Sequence, residues 1–303
     1  MKCSLLKYIA FLVLLPVFSF SQSKLNGFLT PSDTLNIQRR NAVIISEASI
    51  SAITLVGLNQ LWYSDYDQSK FHIINDNSEW LQMDKFGHVF SSYQLGKHGA
   101  QLLNWSGAKK KNQLLYGATL GFTFLTAVEV LDGYSKEWGF SWGDILANGV
   151  GSGLYIGQEL LWNEQRIAVK YSFHDTKFAR LNPNKLGETY MEQILKDYNG
   201  QTYWFCFNLH SFLKNSNMSK WLNIAVGFGA DGMLYGSKDV DNQVLTNIER
   251  YRKYYLSFDV NLNNLRTNSR LLRSIFDVFN MIKIPFPTIE ISKKGTVFHL
   301  FYN

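Results

Sequence analysis

The spacing of hydrophobic side chains changes near the middle of the chain. Residues 22–165 carry apolar side chains three and four positions apart, which is the period of an α-helix, whereas residues 166–303 alternate with the period of two that strands show. The pattern predicts an α+β protein. An N-terminal packed helical bundle is followed by an antiparallel, aromatic-rich β-sheet or partial barrel.

Four helices are predicted in residues 22–165. The first covers residues 35–63, with Ser32 or Asp33 as its N-cap, and the others cover residues 84–103, 114–131 and 141–162. The last two are apolar nearly all round, which is typical of helices inside a protein core or a membrane. Burial within the protein is favoured, because each apolar run is shorter than the roughly 20 residues of a membrane span. Small residues that let helix backbones approach closely are Gly117, Gly121, Gly149, Gly153 and Gly157.

Six strands are predicted in residues 166–303, with intervening helices over 185–198 and 269–281. The strands cover residues 166–174, 202–212, 222–232, 253–265, 282–292 and 295–303. Most of them oppose an apolar face to a small or polar face, as antiparallel outer-membrane strands do and as sheets packed on helices do. A sheet laid against the helical region, or a partial barrel around it, is favoured because six strands fall short of the eight in the smallest membrane barrels. Pro285 and Pro287 predict that the fifth strand is an edge strand.

The first 21 residues predict export. Basic Lys2 and Lys7 flank the start of a short apolar run, and small residues before Gln22 offer a cleavage site, which is the pattern of a secretory signal. We therefore expect the periplasm or the outer membrane. Hydrophobic residues make up 46% of the chain and charged residues only 18%, which favours membrane lipid or another envelope protein as partner. Removing the two lysines lowers the formal charge from +6 by two, to +4, too little to predict a nucleic-acid partner.

Polar pairs recur at helix ends and on the apolar helices. Side chains three or four residues apart share one helix face. Pairs at this spacing are His72 with Asp76, Asp84 with His88, Glu129 with Asp132, and Ser141 with Asp144, which Asn148 follows; Lys85 lies inside the second pair.

These residues have two interpretations. As structure, Asp84 and Ser141 cap helices, and the whole set forms one polar network that fixes helix register. As chemistry, His88, Glu129 and Asp144 are candidate catalytic acid and base groups. Together with Asp132 they also offer the imidazole and carboxylate ligands of a divalent metal site, although the sequence requires no cofactor. The signature motifs H-E-x-x-H, G-x-S-x-G and the P-loop are absent from the sequence.

The same residues carry a family resemblance. The order "FH..ND..EW..MDK.GH", "E..DG" and "GFS..D..AN..G" over residues 71–151 resembles the YfiM-like family of predicted periplasmic lipoproteins, a domain of unknown function. A fainter similarity is to VanZ-like membrane proteins, and its outline is matched by Asp84, Lys85, His88, Asp144, Asn148 and Gly151. The resemblance implies an envelope location and a polar centre among packed helices, and it implies no activity. The chain departs from the lipoprotein pattern, because no cysteine stands at the cleavage site.

Three functions therefore stay open. The first is a structural or binding protein of the cell envelope. The second is an envelope enzyme, a metal-dependent or acid/base hydrolase that acts on a lipid or cell-wall intermediate and whose Lys85 holds an anionic head group. The third is a small outer-membrane channel or assembly factor built on the strands.

Overall fold

The computed structural model describes residues 24–60, 67–213, 217–237 and 248–302. The signal sequence predicted for residues 1–21 lies outside this part of the chain. Helices occupy the N-terminal part, and a six-stranded antiparallel sheet forms most of the C-terminal part, which confirms the predicted α+β architecture.

Long helices form the first layer. They are α1 (Ile37–Leu58), α2 (Met83–Trp105), α3 (Leu120–Asp132) and α4 (Trp142–Trp162). Shorter helical segments are residues 24–29, the 3₁₀ turn Glu79–Gln82, the turn Lys110–Asn112 and the π-turn Gln113–Gly117. Helix α2 lies at the centre, because its buried Tyr93 and Ala100 pack with Ala118 before α3, Tyr155 of α4 and Val169 of the sheet.

Two predicted N-cap residues are wrong. Helix α1 is capped by Asn36 and not by Ser32 or Asp33, because the preceding segment runs along the end of α2, where Ser32 N–H donates to the Trp105 carbonyl. Asp84 lies in the first turn of α2 and does not cap it, since the N-cap position is held by Gln82.

The helix predicted over 114–131 is interrupted. A π-turn occupies Gln113–Gly117, and α3 begins only after Thr119. The interruption coincides with the close approach of this segment to α2, where a Cβ on Gly117 would lie 2.5 Å from the backbone nitrogen of Ala100. The backbones of this segment and of α2 are therefore in direct contact here, where two ordinary helices would be separated by side chains.

Glycines permit the close packing of α2 against α3 and α4, but not all of the predicted ones do. A Cβ on Gly121 would lie 2.2 Å from the Ser92 carbonyl oxygen, and one on Gly151 would lie 2.3 Å from the Val89 carbonyl oxygen. Around Gly153, by contrast, the described part of the chain places nothing within 4 Å. The prediction that the α4 glycines allow close backbone packing is therefore wrong for Gly153 and Gly157, which face open space. Gly149 has only an ordinary contact at 3.9 Å.

The sheet runs in chain order, with every neighbouring pair antiparallel. After the two-residue strands β1 (Ile73–Ile74) and β2 (Phe140–Ser141), its strands are β3 (Ile167–Phe173), β4 (Gln201–Asn208), β5 (Leu222–Asp231), β6 (Tyr251–Val260), β7 (Phe286–Ser292) and β8 (Gly295–Tyr302). The prediction of an edge strand at Pro285 and Pro287 is wrong, because β7 lies between β6 and β8. The register is irregular between Phe286 and Thr288, and such a bulge accommodates the missing N–H of Pro287.

The connecting helices follow the prediction only in part. The helix predicted over 185–198 is divided into Pro183–Leu186 and α5 (Tyr190–Lys196), because Gly187 adopts a φ of +101° between them. The helix predicted over 269–281 is confirmed as α6 (Arg270–Phe279), with Ser269 as N-cap. Other short helical turns are Phe178–Leu181, Leu209–Phe212 and Leu262–Asn264.

The sheet buries its polar face. Lys170 of β3 and Asp259 of β6 are fully buried, with 2.8 Å between Lys170 Nζ and Asp259 Oδ2. Part of the opposite, apolar face packs on α2. Phe86 of the helix stacks on Phe228 of β5 with ring centroids 4.2 Å apart. Farther along the sheet this apolar face is exposed, at Val226, Tyr254, Leu256, Phe258, Ile289, Ile291 and Phe298.

The glycine contacts predict opposite effects for two alanine substitutions on one helix. We expect Gly151→Ala to lower the free energy of unfolding by about 1–3 kcal/mol, because the new methyl group is forced against the backbone of α2. Gly153→Ala is its matched control and should be neutral or stabilising by up to about 1 kcal/mol, as alanine favours a helix. Chemical denaturation followed by circular dichroism measures both. Equal effects of the two substitutions would contradict the packing described here.

Candidate functional site

Lys85 is the centre of a buried ionic network. Its Nζ lies 2.7 Å from Asp76 Oδ1, 3.0 Å from Asp84 Oδ2 and 2.9 Å from Asp144 Oδ1. The three carboxylates come from the loop after β1, from the first turn of α2 and from the first turn of α4. One ammonium group therefore joins the loop after β1 and the start of α2 to the start of α4, about 60 residues farther along the chain.

Short strands and a helix cap bring these segments together. Strand β1 pairs in parallel with β2, which places the loop that holds Asp76 beside the start of α4. Ser141 caps α4, since its hydroxyl accepts a hydrogen bond from the Asp144 backbone N–H at 3.2 Å and donates one to Asp76 Oδ1 at 2.6 Å. The Ser141 backbone N–H donates to Glu129 Oε2 at 3.3 Å. The capping residue thus contacts three acids of the network.

A strained turn precedes the lysine. Trp80, Leu81 and Gln82 have φ values of 45°, 51° and 68°, a region that residues with a Cβ rarely adopt. Each such residue costs of order 1–3 kcal/mol and persists only where its surroundings hold it. Here the Trp80 N–H donates to the Gly236 carbonyl at 3.0 Å, and Arg252 of β6 donates to the Gln82 side chain. The sheet therefore holds the turn that leads into Asp84 and Lys85.

His88 lies one helical turn beyond Asp84 and contacts a second pair of acids. Its Nδ1 is 2.9 Å from Asn148 Oδ1, which is within hydrogen-bond distance. Its Nε2 faces Glu129 Oε1 and Asp144 Oδ1, each at 3.6 Å. These distances are too long for hydrogen bonds.

Burial raises the pKa of several acids. The pKa of Glu129 rises to about 9, chiefly because the side chain is buried and secondly because Asp144 and Asp132 are nearby. Burial raises the pKa of Asp84 to about 6 against the opposing charge of Lys85. Burial also raises the pKa of Asp144, although His88 and Lys85 oppose the shift.

Ion pairing outweighs burial for Lys85 and Asp76. Burial alone would raise the pKa of Asp76, but its hydrogen bonds with Lys85 and Ser141 hold that pKa below its usual value. Burial alone would lower the pKa of Lys85, but Asp84 and Asp144 raise it overall. Lys85 is therefore charged at every pH at which the protein is handled.

The structure brings together eight of the ten residues singled out in the sequence. They are Asp76, Asp84, Lys85, His88, Glu129, Ser141, Asp144 and Asn148. His72 lies apart, with its Nδ1 3.2 Å from Ser69 Oγ. Asp132 is one helical turn beyond Glu129 and acts on the pKa of Glu129 through its charge.

Two serines that the sequence interpretation missed extend the network. Ser92 Oγ donates to the Asn148 carbonyl at 2.7 Å and lies 2.9 Å from Ser152 Oγ, so it links α2 to α4. Ser92 follows His88 by four residues, and Ser152 follows Asn148 by four. The four-residue spacing that singled out the other polar pairs would have found both.

The network lies inside a stretch of chain that is similar to a known family. A family model described as predicted periplasmic lipoprotein (DUF2279) matches residues 72–157. The match begins just before β1 and ends within α4, so it contains every residue of the network and both serines. Comparison with curated proteins and with solved structures found no match. The protein is an exported protein of the periplasm, and its closer resemblance to YfiM-like and VanZ-like proteins stays a prediction.

The pKa of Glu129 predicts how stability depends on pH. The unfolded chain loses this proton near its ordinary pKa of 4.5, whereas the folded protein keeps it up to about 9. Raising the pH from 5 to 9 therefore favours the unfolded state, with a slope of up to about 1.4 kcal/mol per pH unit from this residue. We expect Glu129→Gln to remove that part of the slope, as measured by denaturation at several pH values with a chelator present. If the free energy of unfolding changed with pH in the same way in the wild type and in Glu129→Gln, the raised pKa of Glu129 would be contradicted.

Proposed function

We propose that the protein is a non-enzymatic, membrane-associated structural protein of the periplasm. In this proposal the ionic network holds the helices in register, and helix α1 and the exposed apolar face of the sheet contact lipid. The observation that carries the proposal is the inverted polarity of the sheet.

The inverted sheet favours lipid over water as its surroundings. An antiparallel sheet with one wet face normally turns its polar side chains to solvent. Here Lys170 and Asp259 are fully buried, while Leu256, Phe258 and Ile289 of the opposite face are exposed. Contiguous exposed apolar patches of this kind mark sites of interaction with membranes or proteins.

Helix α1 favours a lipid partner over a protein groove. Only a small share of its residues is buried, and its exposed apolar side chains are Ile44, Ile45, Ile50, Ile53 and Val56. At about 100° per residue these side chains cover more than half of the helix circumference. A groove on a partner protein covers one face of a helix, whereas lipid surrounds it. By length and composition alone, Ile37–Leu58 and Lys110–Asp132 could each cross a membrane, a test that buried core helices also meet.

The network favours a structural role. Lys85 has an acidic neighbour within 3.0 Å from each of three segments, and removing one member of a buried ion group leaves uncompensated charge. Such a group specifies how segments assemble, because alternative arrangements leave charges unpaired.

An envelope hydrolase is the second candidate function. The observation that favours it is the imidazole of His88, which faces two carboxylates from other helices. Acid/base or metal chemistry on a lipid or cell-wall intermediate needs such a grouping. The channel or assembly-factor hypothesis has no observation of its own in its favour.

Vesicle flotation tests the membrane proposal. We expect the mature chain to float with vesicles of phosphatidylethanolamine and phosphatidylglycerol. The double variant Leu256→Glu/Ile289→Glu changes a cross-strand pair on the exposed sheet face and should bind at least about tenfold more weakly, since two apolar contacts are lost.

The control is Met191→Glu/Leu195→Glu, which changes two exposed apolar residues of α5 and should leave flotation unchanged. Wild-type protein that stays at the bottom of the gradient would contradict the proposal. Flotation of the sheet variant to the same extent as the wild type would also contradict it. If the wild type does not bind vesicles but purifies in a stoichiometric complex with another envelope protein, the apolar sheet face is a binding site for that protein.

A further inference from the structure

Three helices each contribute one ligand atom to the same small space. His88 Nε2 of α2, Glu129 Oε1 of α3 and Asp144 Oδ1 of α4 all lie within 4.8 Å of one another. An imidazole nitrogen and two carboxylate oxygens are the ligands that zinc accepts at catalytic and mixed sites. At ligand distances of about 2.0–2.2 Å, two ligands of a tetrahedral ion are about 3.4 Å apart. The 3.6 Å from Nε2 to each oxygen is close to that value.

The three atoms that face this space form no hydrogen bonds across it, since His88 Nε2 lies 3.6 Å from each of the two oxygens. Asn148 Oδ1 lies 2.9 Å from Nδ1, so Nε2 is the ring nitrogen that faces the two acids. Asp144 is more than nine-tenths buried, and its Oδ1 faces both Lys85 Nζ, at 2.9 Å, and His88 Nε2, at 3.6 Å. A cation between these atoms would satisfy all of them.

The surrounding contacts orient the ligands as second-shell groups do. Asn148 fixes the imidazole through Nδ1, and the Ser141 backbone N–H holds Glu129 Oε2, which leaves Oε1 directed at the space. Metal-bound histidines nearly always donate their other ring N–H to such a partner. Glu129 is itself buried, so its position is defined by packing.

Charge balance also favours a cation. Asp76, Asp84 and Asp144 surround one lysine within 3.0 Å, and a divalent ion would offset the excess of carboxylates. A second grouping, Asp76 with Asp84 and Asp144, also has metal-like spacing. It carries no site, because the Lys85 ammonium lies within 3.0 Å of all three carboxylates and already fills that position.

We propose that His88, Glu129 and Asp144 bind one divalent transition-metal ion of the zinc class. The ion has a fourth position for water or a ligand, since His88 is partly exposed at the surface of the network. The ion ties α2, α3 and α4 together beside the Lys85 ion pairs. This inference goes beyond the proposed membrane role and does not depend on it.

Metal titration of the tag-free mature chain tests the site. After removal of metals with a chelator, we expect one equivalent of Zn²⁺ to bind by calorimetry and by elemental analysis, and Co²⁺ to give the visible absorption bands of a tetrahedral site. His88→Gln and Glu129→Gln should each weaken Zn²⁺ binding by more than about tenfold, because each removes one of three ligands. Mg²⁺, which prefers six oxygen ligands, should not compete.

The control variant is Asp277→Asn, which removes a carboxylate that pairs with buried Lys97 at 2.9 Å and should leave Zn²⁺ affinity unchanged. If a ligand variant fails to fold, the wild type still tests the metal site. Zn²⁺ should raise its unfolding temperature, and the absorption bands of bound Co²⁺ should show tetrahedral coordination. Absence of stoichiometric binding by the wild type, or unchanged affinity in both ligand variants, would overturn the proposal. Vesicle flotation in the presence of a chelator tests membrane binding separately from metal binding, so the two proposals can fail independently.

Discussion

The rest of the helical region depends on the burial of Lys85 among three carboxylates. Removing an ammonium group from water costs several kcal/mol, and only partners held at the right distance offset that cost. Asp76, Asp84 and Asp144 reach the lysine at 3.0 Å or less, from a loop and two helices. Because none of these segments can shift without breaking an ion pair, the network defines how the loop after β1 and the starts of α2 and α4 meet.

The sequence predicted the elements and much of the network, because both depend on local spacing. Three- and four-residue intervals placed Ser141, Asp144 and Asn148 on one face, and the structure has Ser141 capping the helix that follows. The glycines show that residue spacing along a helix does not predict which positions contact another helix. Gly151 and Gly153 belong to the same helix, yet only the position of α2 decides that the first lies against a backbone and the second does not. The turn Trp80–Gln82 has no sequence signal, since its φ values contradict the preferences of its residues.

The sheet shows a different limit. Alternation predicted its strands and their two faces, but the same alternation describes a sheet in either orientation. The Lys170–Asp259 pair is fully buried, so its face is the interior one, whereas Leu256, Ile289 and Phe298 on the opposite face of β6 to β8 are exposed. Hydrophobic pattern alone could not indicate which face meets the surroundings.

The left-handed turn before α2 makes the family-matched helical segment depend on residues outside it. Gly236 and Arg252, which hold this turn, lie far beyond residue 157, where the match to the lipoprotein family ends. Cut free of the strands, the matched segment would lose the contacts that keep three residues out of their preferred conformations. It would then relax at the point that positions Asp84 and Lys85. The loop after β5 and strand β6 therefore support the position of the polar centre, although both lie outside the matched segment.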